Sequence, residues 1–177
     1  MRAAALWCGV SALAVVVQAM LAGALSPTWV PDLSLLAAMA AALVLGPAEG
    51  LVAACLIGLG TDMLSGSLMG QHGFVRVVEF VVVRVFAGQL DLARAFPQVI
   101  MALALSALDG VLMAGLSSVF SATFPLAWSE VTVLAPRAFV TACGAPLVGG
   151  AAVRVAEGWG DGEGRQEIRL ETRRSVL

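Results

Sequence analysis

Charge is what this sequence has least of. Charged residues make up 12% of its 177 positions and hydrophobic residues 60%, whereas a typical soluble domain carries about 25% and 45–50%. Mean hydropathy is +0.95, and a soluble globular fold is excluded on this composition. Lysine is absent, all ten basic residues being arginine. With a net charge of −2 and no basic cluster, the chain lacks the electrostatic footprint that nucleic acid requires. Cysteine is sparse: Cys8, Cys55 and Cys143 fall in three different apolar stretches, and no pair is spaced for a metal or a local disulfide. They read as small core-like side chains. Histidine occurs once, at His72. No HExxH, Ser-His-Asp, P-loop or dinucleotide pattern is present, so no enzyme activity, cofactor or metal is expected.

What the chain does have is long stretches free of charge. None lies between Arg2 and Asp32, and 33–48, 50–61, 95–108, 110–129 and 138–153 are equally clean, the pattern of membrane spans. The first apolar run, 4–25, is 22 residues, longer than a signal-peptide core of about 7–15, and is read as a retained helix. Prolines 27 and 31 break the chain after it. Five further spans are predicted at 32–46, 50–64, 73–90, 97–121 and 132–156. Two of them, 32–46 and 50–64, hold only 15 residues each, short of the roughly 20 needed to cross. Two short helices are preferred there over one re-entrant hairpin. The expected architecture is an all-α integral membrane protein, a six-helix bundle over 1–157 followed by a charged cytoplasmic tail at 158–177.

Orientation follows from the arginines, since positive loops stay on the cytoplasmic side. With the N-terminus inside, Arg2, Arg94, Arg154, Arg165, Arg169, Arg173 and Arg174 are all cytoplasmic, and the outer turns 26–31, 65–72 and 122–131 contain no arginine. Both termini are then cytoplasmic. A five-crossing alternative would place Arg94 and the tail outside. In that tail Glu163, Glu167 and Glu171 alternate with Arg165, Arg169 and Arg173, two opposite ribs if helical: a solvated tail, or a docking helix for a cytoplasmic partner.

The most informative segment runs from Gly58 to Phe74. It holds Asp62 and Ser65, a turn with Gly66, Gly70 and Gly73, and His72. Glycine there permits positive φ and close backbone approach. On a helix starting near Gln71, the residues His72, Arg76 and Glu79 fall within about 60° of one another. Together with Asp62 they are expected to form one polar cluster at the outer end of the bundle. Charges at membrane depth raise a functional hypothesis by default. Three readings stand: mutual neutralisation of Arg76 and Glu79 with Asp62 capping the next turn, partner binding, and substrate or proton handling. Arg84, about 80° around the helix from Arg76, is expected either to snorkel or to meet Asp109. Glu49, Asp91 and Arg94 read as solvated loop ends.

Two aspartates on different helices, Asp62 and Asp109, invite comparison with an intramembrane aspartyl protease, whose dyad shares a proton. That class carries Gly-x-Gly-Asp, and Gly58-Leu59-Gly60-Thr61-Asp62 has one residue too many. Helix packing is better represented. Ala102, Ser106, Gly110, Ala114, Ser118 and Ala122 recur every four residues, as do Ala138, Ala142, Pro146 and Gly150. Such lines let another helix backbone approach closely, within the bundle or from a second protein.

Pro31-Asp32-Leu33 opening a short apolar helix, followed by Gly58-Leu59, Asp62, Ser65-Gly66, Leu68, Gly70, His72 and Phe74, resembles the MreD family of the bacterial rod-shape system. Gly60-Thr61 stands where aliphatic residues are usual, and Gln71 separates Gly70 from His72. The resemblance implies a non-enzymatic membrane protein of the bacterial cytoplasmic membrane that associates with MreC. It also implies proximity to the RodA glycosyltransferase, a class B penicillin-binding transpeptidase and MreB in the machinery that builds lateral peptidoglycan. It further implies a fold similar to the membrane (S) component of energy-coupling-factor transporters. The alternative function follows from that likeness: a small-solute-binding transporter subunit with its pocket among Asp62, His72, Arg76 and Glu79. Asp32 joins these four, with Ser65, Gly66 and Gly70, as candidates for partner binding or a buried polar cluster. Ser106, Gly110, Ala114 and Ser118 are the candidates for helix packing.

Overall fold

The computed structural model describes residues 2–66, 69–92, 94–120 and 128–158. They form α1 (Arg2–Ala24), a single 3-10 turn (Pro27–Trp29), α2 (Leu33–Val44), α3 (Pro47–Ser65), α4 (Gln71–Ala87), α5 (Ala95–Phe120) and α6 (Trp128–Gly158). Each helix lies on one of the six apolar stretches. The tail beyond Gly158 and the side chain of Cys8 lie outside the described residues, as does Ala122 of the small-residue line.

Helix ends follow local chemistry. Asp32 caps α2, its carboxylate accepting the Leu35 N–H at 3.0 Å, so one orphan donor of the first turn is satisfied. Pro47 opens α3 at a position where its missing N–H costs nothing. Gly66 ends that helix at φ 65°, and Gly70 precedes α4 at φ 94°, a region open to glycine without strain.

The segment 32–64 forms two separate helices of unequal length rather than two of 15. Proline at the first position carries α3 to 19 residues, leaving α2 only 12, about 18 Å at 1.5 Å per residue. Helix α2 nevertheless touches all five other helices, and nine of its twelve residues are buried. Enclosure on every side explains how so short a helix can be so apolar: its side chains are covered by the neighbouring helices. Its run of alanines from Ala37 to Ala42, broken only by Met39, keeps the profile thin enough for five neighbours to close around it.

Around this hub Leu35, Leu36, Met39, Phe80, Val83, Met101 and Leu105 form the main apolar core. Trp7 and Val15 bring α1 into two smaller clusters. The outside is apolar as well: Leu13, Met20, Met63, Val111, Val119, Phe139 and Leu147 are all exposed. Among the described residues two helices, Pro47–Ser65 and Ala95–Val119, are long and apolar enough to cross a membrane. Cys55 is half-buried, but Cys143 is exposed, so it is not the core side chain expected.

Glycines stand where helices cross closely. Gly58 on α3 lies against the start of α4, where a Cβ would stand 2.4 Å from the His72 carbonyl oxygen and 2.5 Å from Gly73 Cα. Gly110 on α5 faces Leu134 of α6, whose Cδ2 would lie 2.7 Å from a Cβ. In the α5 line Ala102 and Ser106 are buried while Ala114 and Ser118 are half-buried. The Ser118 hydroxyl donates to its own helix at the Gly115 carbonyl, 2.7 Å away.

Candidate functional site

Among the described residues buried charge gathers in two places, where the sequence suggested one. The first is the α3–α4 turn. Asp62, in the last turn of α3, accepts the backbone N–H groups of Gly70 (2.8 Å), His72 (3.0 Å) and Gly73 (3.3 Å). It thereby caps α4 from a neighbouring helix, placing a carboxylate where the helix dipole is positive. The His72 ring closes the arrangement, its Nδ1 2.7 Å from Asp62 Oδ1. A carboxylate only accepts, so Nδ1 carries the hydrogen. Ser65 Oγ sits 3.5 Å from the Asp62 carbonyl, and Gly66 and Gly70 supply the positive φ angles that turn the chain back. Asp62, Ser65, Gly66, Gly70 and His72 thus come together as a structured turn. Next to it Gln71 reaches α5, donating to Ser117 Oγ at 3.1 Å.

The second place is centred on Arg76, whose side chain is fully buried. Nη2 donates to Asp32 Oδ2 at 2.9 Å, and Nε donates to Ser34 Oγ at 3.1 Å. Nη1 donates to Glu79 Oε2 and lies 3.3 Å from Asp109 Oδ1. The planar guanidinium therefore meets three carboxyl groups on three elements, a geometry that a lysine ammonium cannot reproduce. Asp32 is the other hub. It accepts four hydrogen bonds, from Ser34 Oγ (2.7 Å), Leu35 N, Arg76 and Arg137 (3.0 Å). Its own N–H donates to Thr141 Oγ1 at 2.9 Å, and that hydroxyl donates to the Arg137 carbonyl. From α1, Gln18 Oε1 accepts the Ser34 N–H at 2.9 Å. The network therefore ties α1, α2, α4, α5 and α6.

Arg84 meets neither Asp109 nor the cluster. Its Nη1 donates to the carbonyls of Ala42 (3.1 Å) and Leu45 (3.4 Å), the open end of α2, where a cation suits both the orphan carbonyls and the dipole. Asp109 is taken by Arg76 instead. Asp91 and Arg94 pair at 3.0 Å on the surface, and Glu49 is exposed, as expected of loop ends.

Arg137, Ser34, Thr141 and Gln18 were missed as site residues. For Arg137 a signal was available: an arginine in an apolar run with no acid near it in sequence needs one from elsewhere, and Asp32 and Asp109 were the candidates. Ser34, Thr141 and Gln18 carried no comparable signal. Asp62 faces the turn backbone and His72, whereas Asp109 faces Arg76, so the two aspartates do not make a dyad.

No curated protein and no solved structure matches the chain. A family model described as rod shape-determining protein MreD matches residues 3–139, more than three quarters of the sequence and every residue named in the two clusters except Thr141. By that match the chain belongs to the MreD family of rod shape-determining proteins.

Proposed function

We propose that this protein is a non-enzymatic scaffold of the machinery that builds lateral peptidoglycan and sets rod shape, acting through association with MreC. In this reading it sits in the bacterial cytoplasmic membrane as six crossings with both termini in the cytoplasm. RodA, a class B penicillin-binding transpeptidase and MreB are its further partners. The observation that carries the reading is the engagement of the buried charges with one another and with helix ends: Asp32 with Arg76 and Arg137, Asp62 with the α4 backbone, Arg84 with the end of α2. Such groups hold a defined bundle and present no reactive centre.

The apolar exterior supports immersion in lipid, since single exposed residues such as Val111, Val119 and Leu147 form the outward faces of helices whose inward faces are packed. The six-crossing topology puts the Asp32 and Asp62 clusters in the outer half of the bundle and Arg84 in the inner half. A solute-binding subunit would need Asp62, His72, Arg76 and Glu79 around one pocket. Their contacts instead divide between the α3–α4 turn and the Arg76 network, which favours the scaffold.

Deletion of the gene from its rod-shaped host tests the proposal. Cells are expected to round up and to recover when the wild-type gene is restored. Deleted cells that stay rod-shaped and incorporate peptidoglycan along their side walls would sink it.

A further inference from the structure

The Arg76 network contains two guanidinium groups, Arg76 and Arg137, and three carboxyl groups, Asp32, Glu79 and Asp109. With every carboxyl ionised, the interior of the bundle would hold an uncompensated negative charge, which is costly away from water. The three acids are not equivalent. Asp32 has all its acceptor positions filled, two of them by the guanidiniums. Glu79 is 1% exposed and has one oxygen, Oε2, on Arg76 Nη1; the other, Oε1, has no hydrogen-bond partner among the described residues. Asp109 approaches the same Nη1 at 3.3 Å through Oδ1, and that buried oxygen is likewise without a properly aligned donor among the described residues. Two carboxyl groups therefore crowd one guanidinium nitrogen, each with an acceptor oxygen short of a hydrogen.

We propose that Glu79 and Asp109 together bind one proton, making the Arg76 network neutral and completing the junction of α2, α4, α5 and α6. One carboxyl stays ionised against Arg76. The other, as the neutral acid, supplies the O–H donor that the pair lacks; no bond other than O–H forms or breaks. Every packed element contributes to the field at the pair. Asp32 faces it from the start of α2, Arg76 from α4 and Arg137 from α6, while His72 stands one turn before Arg76. On α3 Asp62 is engaged by the turn, and on α1 Gln18 is engaged by Ser34.

One proton held between two acids makes an either-or pattern. Replacing one acid of the pair by its amide leaves two cations facing two carboxylates and supplies a neutral donor in place of the proton. Replacing both leaves two cations facing one carboxylate. The test uses the full chain in mild-detergent micelles at neutral pH, read by infrared difference spectroscopy and thermal unfolding. Wild type is expected to show the carbonyl stretch of a protonated carboxylic acid, unchanged in Asp62→Asn and lost in both Glu79→Gln and Asp109→Asn. Each single variant should melt close to wild type, and the double variant should fall by more than the two single shifts added together. Absence of the band from wild type would overturn the proposal, whether or not the variants fold. Survival of the band in either single variant, or a double variant whose shift is simply additive, would also overturn it.

Discussion

Substitution of Gly58 by alanine should loosen the α3–α4 crossing, and the distances there set the size of the effect. The new Cβ would stand 2.4 Å from the His72 carbonyl oxygen, 2.5 Å from Gly73 Cα and 2.6 Å from Gly73 N, where ordinary contact begins at 3.4 Å. All three are backbone atoms, so no rotamer change relieves the overlap and the helices must separate by about 1 Å. Overpacking of this kind costs about 1–3 kcal/mol, and a case without side-chain relief belongs at the upper end. Asp62 lies one turn further along α3, and its bonds to Gly70, His72 and Gly73 already span 2.7–3.3 Å. Stretching them adds about 1 kcal/mol, partly offset by about 0.5–1 kcal/mol from the better helix propensity of alanine. The net loss is about 3 kcal/mol, or roughly 6–12 °C in melting temperature on the scaling of domains of this size. Gly60 on the same helix has nothing within 4 Å of an added Cβ, so Gly60→Ala is the matched control and should melt at or slightly above wild type. Thermal unfolding in mild detergent reads both. Equal melting temperatures for the two variants would refute the close-crossing argument.

Other perturbations separate the remaining contacts. Arg76→Met strands Asp32, Glu79 and Asp109 without their common partner and should cost about 3–5 kcal/mol; Arg76→Lys should recover little of it, because one ammonium cannot serve Asp32, Ser34 and Glu79 at once, and unfolding of both variants checks this. Asp62→Asn keeps one acceptor oxygen but not the second, so about 1–2 kcal/mol should be lost, and hydrogen exchange should accelerate at the amides of 70–73 with little change in α6. Gly50→Ala places a Cβ 2.4 Å from the Phe80 ring; the obstacle is a side chain, so Phe80→Leu should restore much of the lost melting temperature, whereas no single side-chain change should rescue Gly58→Ala. Gly110→Ala meets only the tip of Leu134 and should shift melting by less than half as much as Gly58→Ala.

The parts of this structure legible in the sequence are those written locally. Apolar runs marked all six helices, five of them through charge-free stretches and α4 despite Arg76, Glu79 and Arg84, and the glycines at 66, 70 and 73 marked the turn because φ and close approach restrict residue choice there. The link between Asp62 and His72 was within reach, since only ten residues separate them on either side of that turn. The link from Asp32 to Arg137 spans 105 positions, and nothing in hydrophobic periodicity reports which apolar helices are neighbours. The same limit split the expected single cluster: helical angles put His72, Arg76 and Glu79 on one side of α4, but whether Asp62 or Asp32 reaches Arg76 depends on how α2 and α3 pack. Arg84 shows a different blind spot. Its partners are the carbonyls of Ala42 and Leu45, and a helix end offers acceptors whatever its side chains are.

The scaffold reading turns on association, and a mild-detergent pull-down of the tagged chain from its host, identified by mass spectrometry, tests that most directly. The account predicts that MreC co-purifies with the wild-type chain and is depleted with Gly58→Ala, whose bundle is loosened, but retained with Gly60→Ala. Purification of the folded wild-type chain without MreC or any other cell-wall component would contradict it.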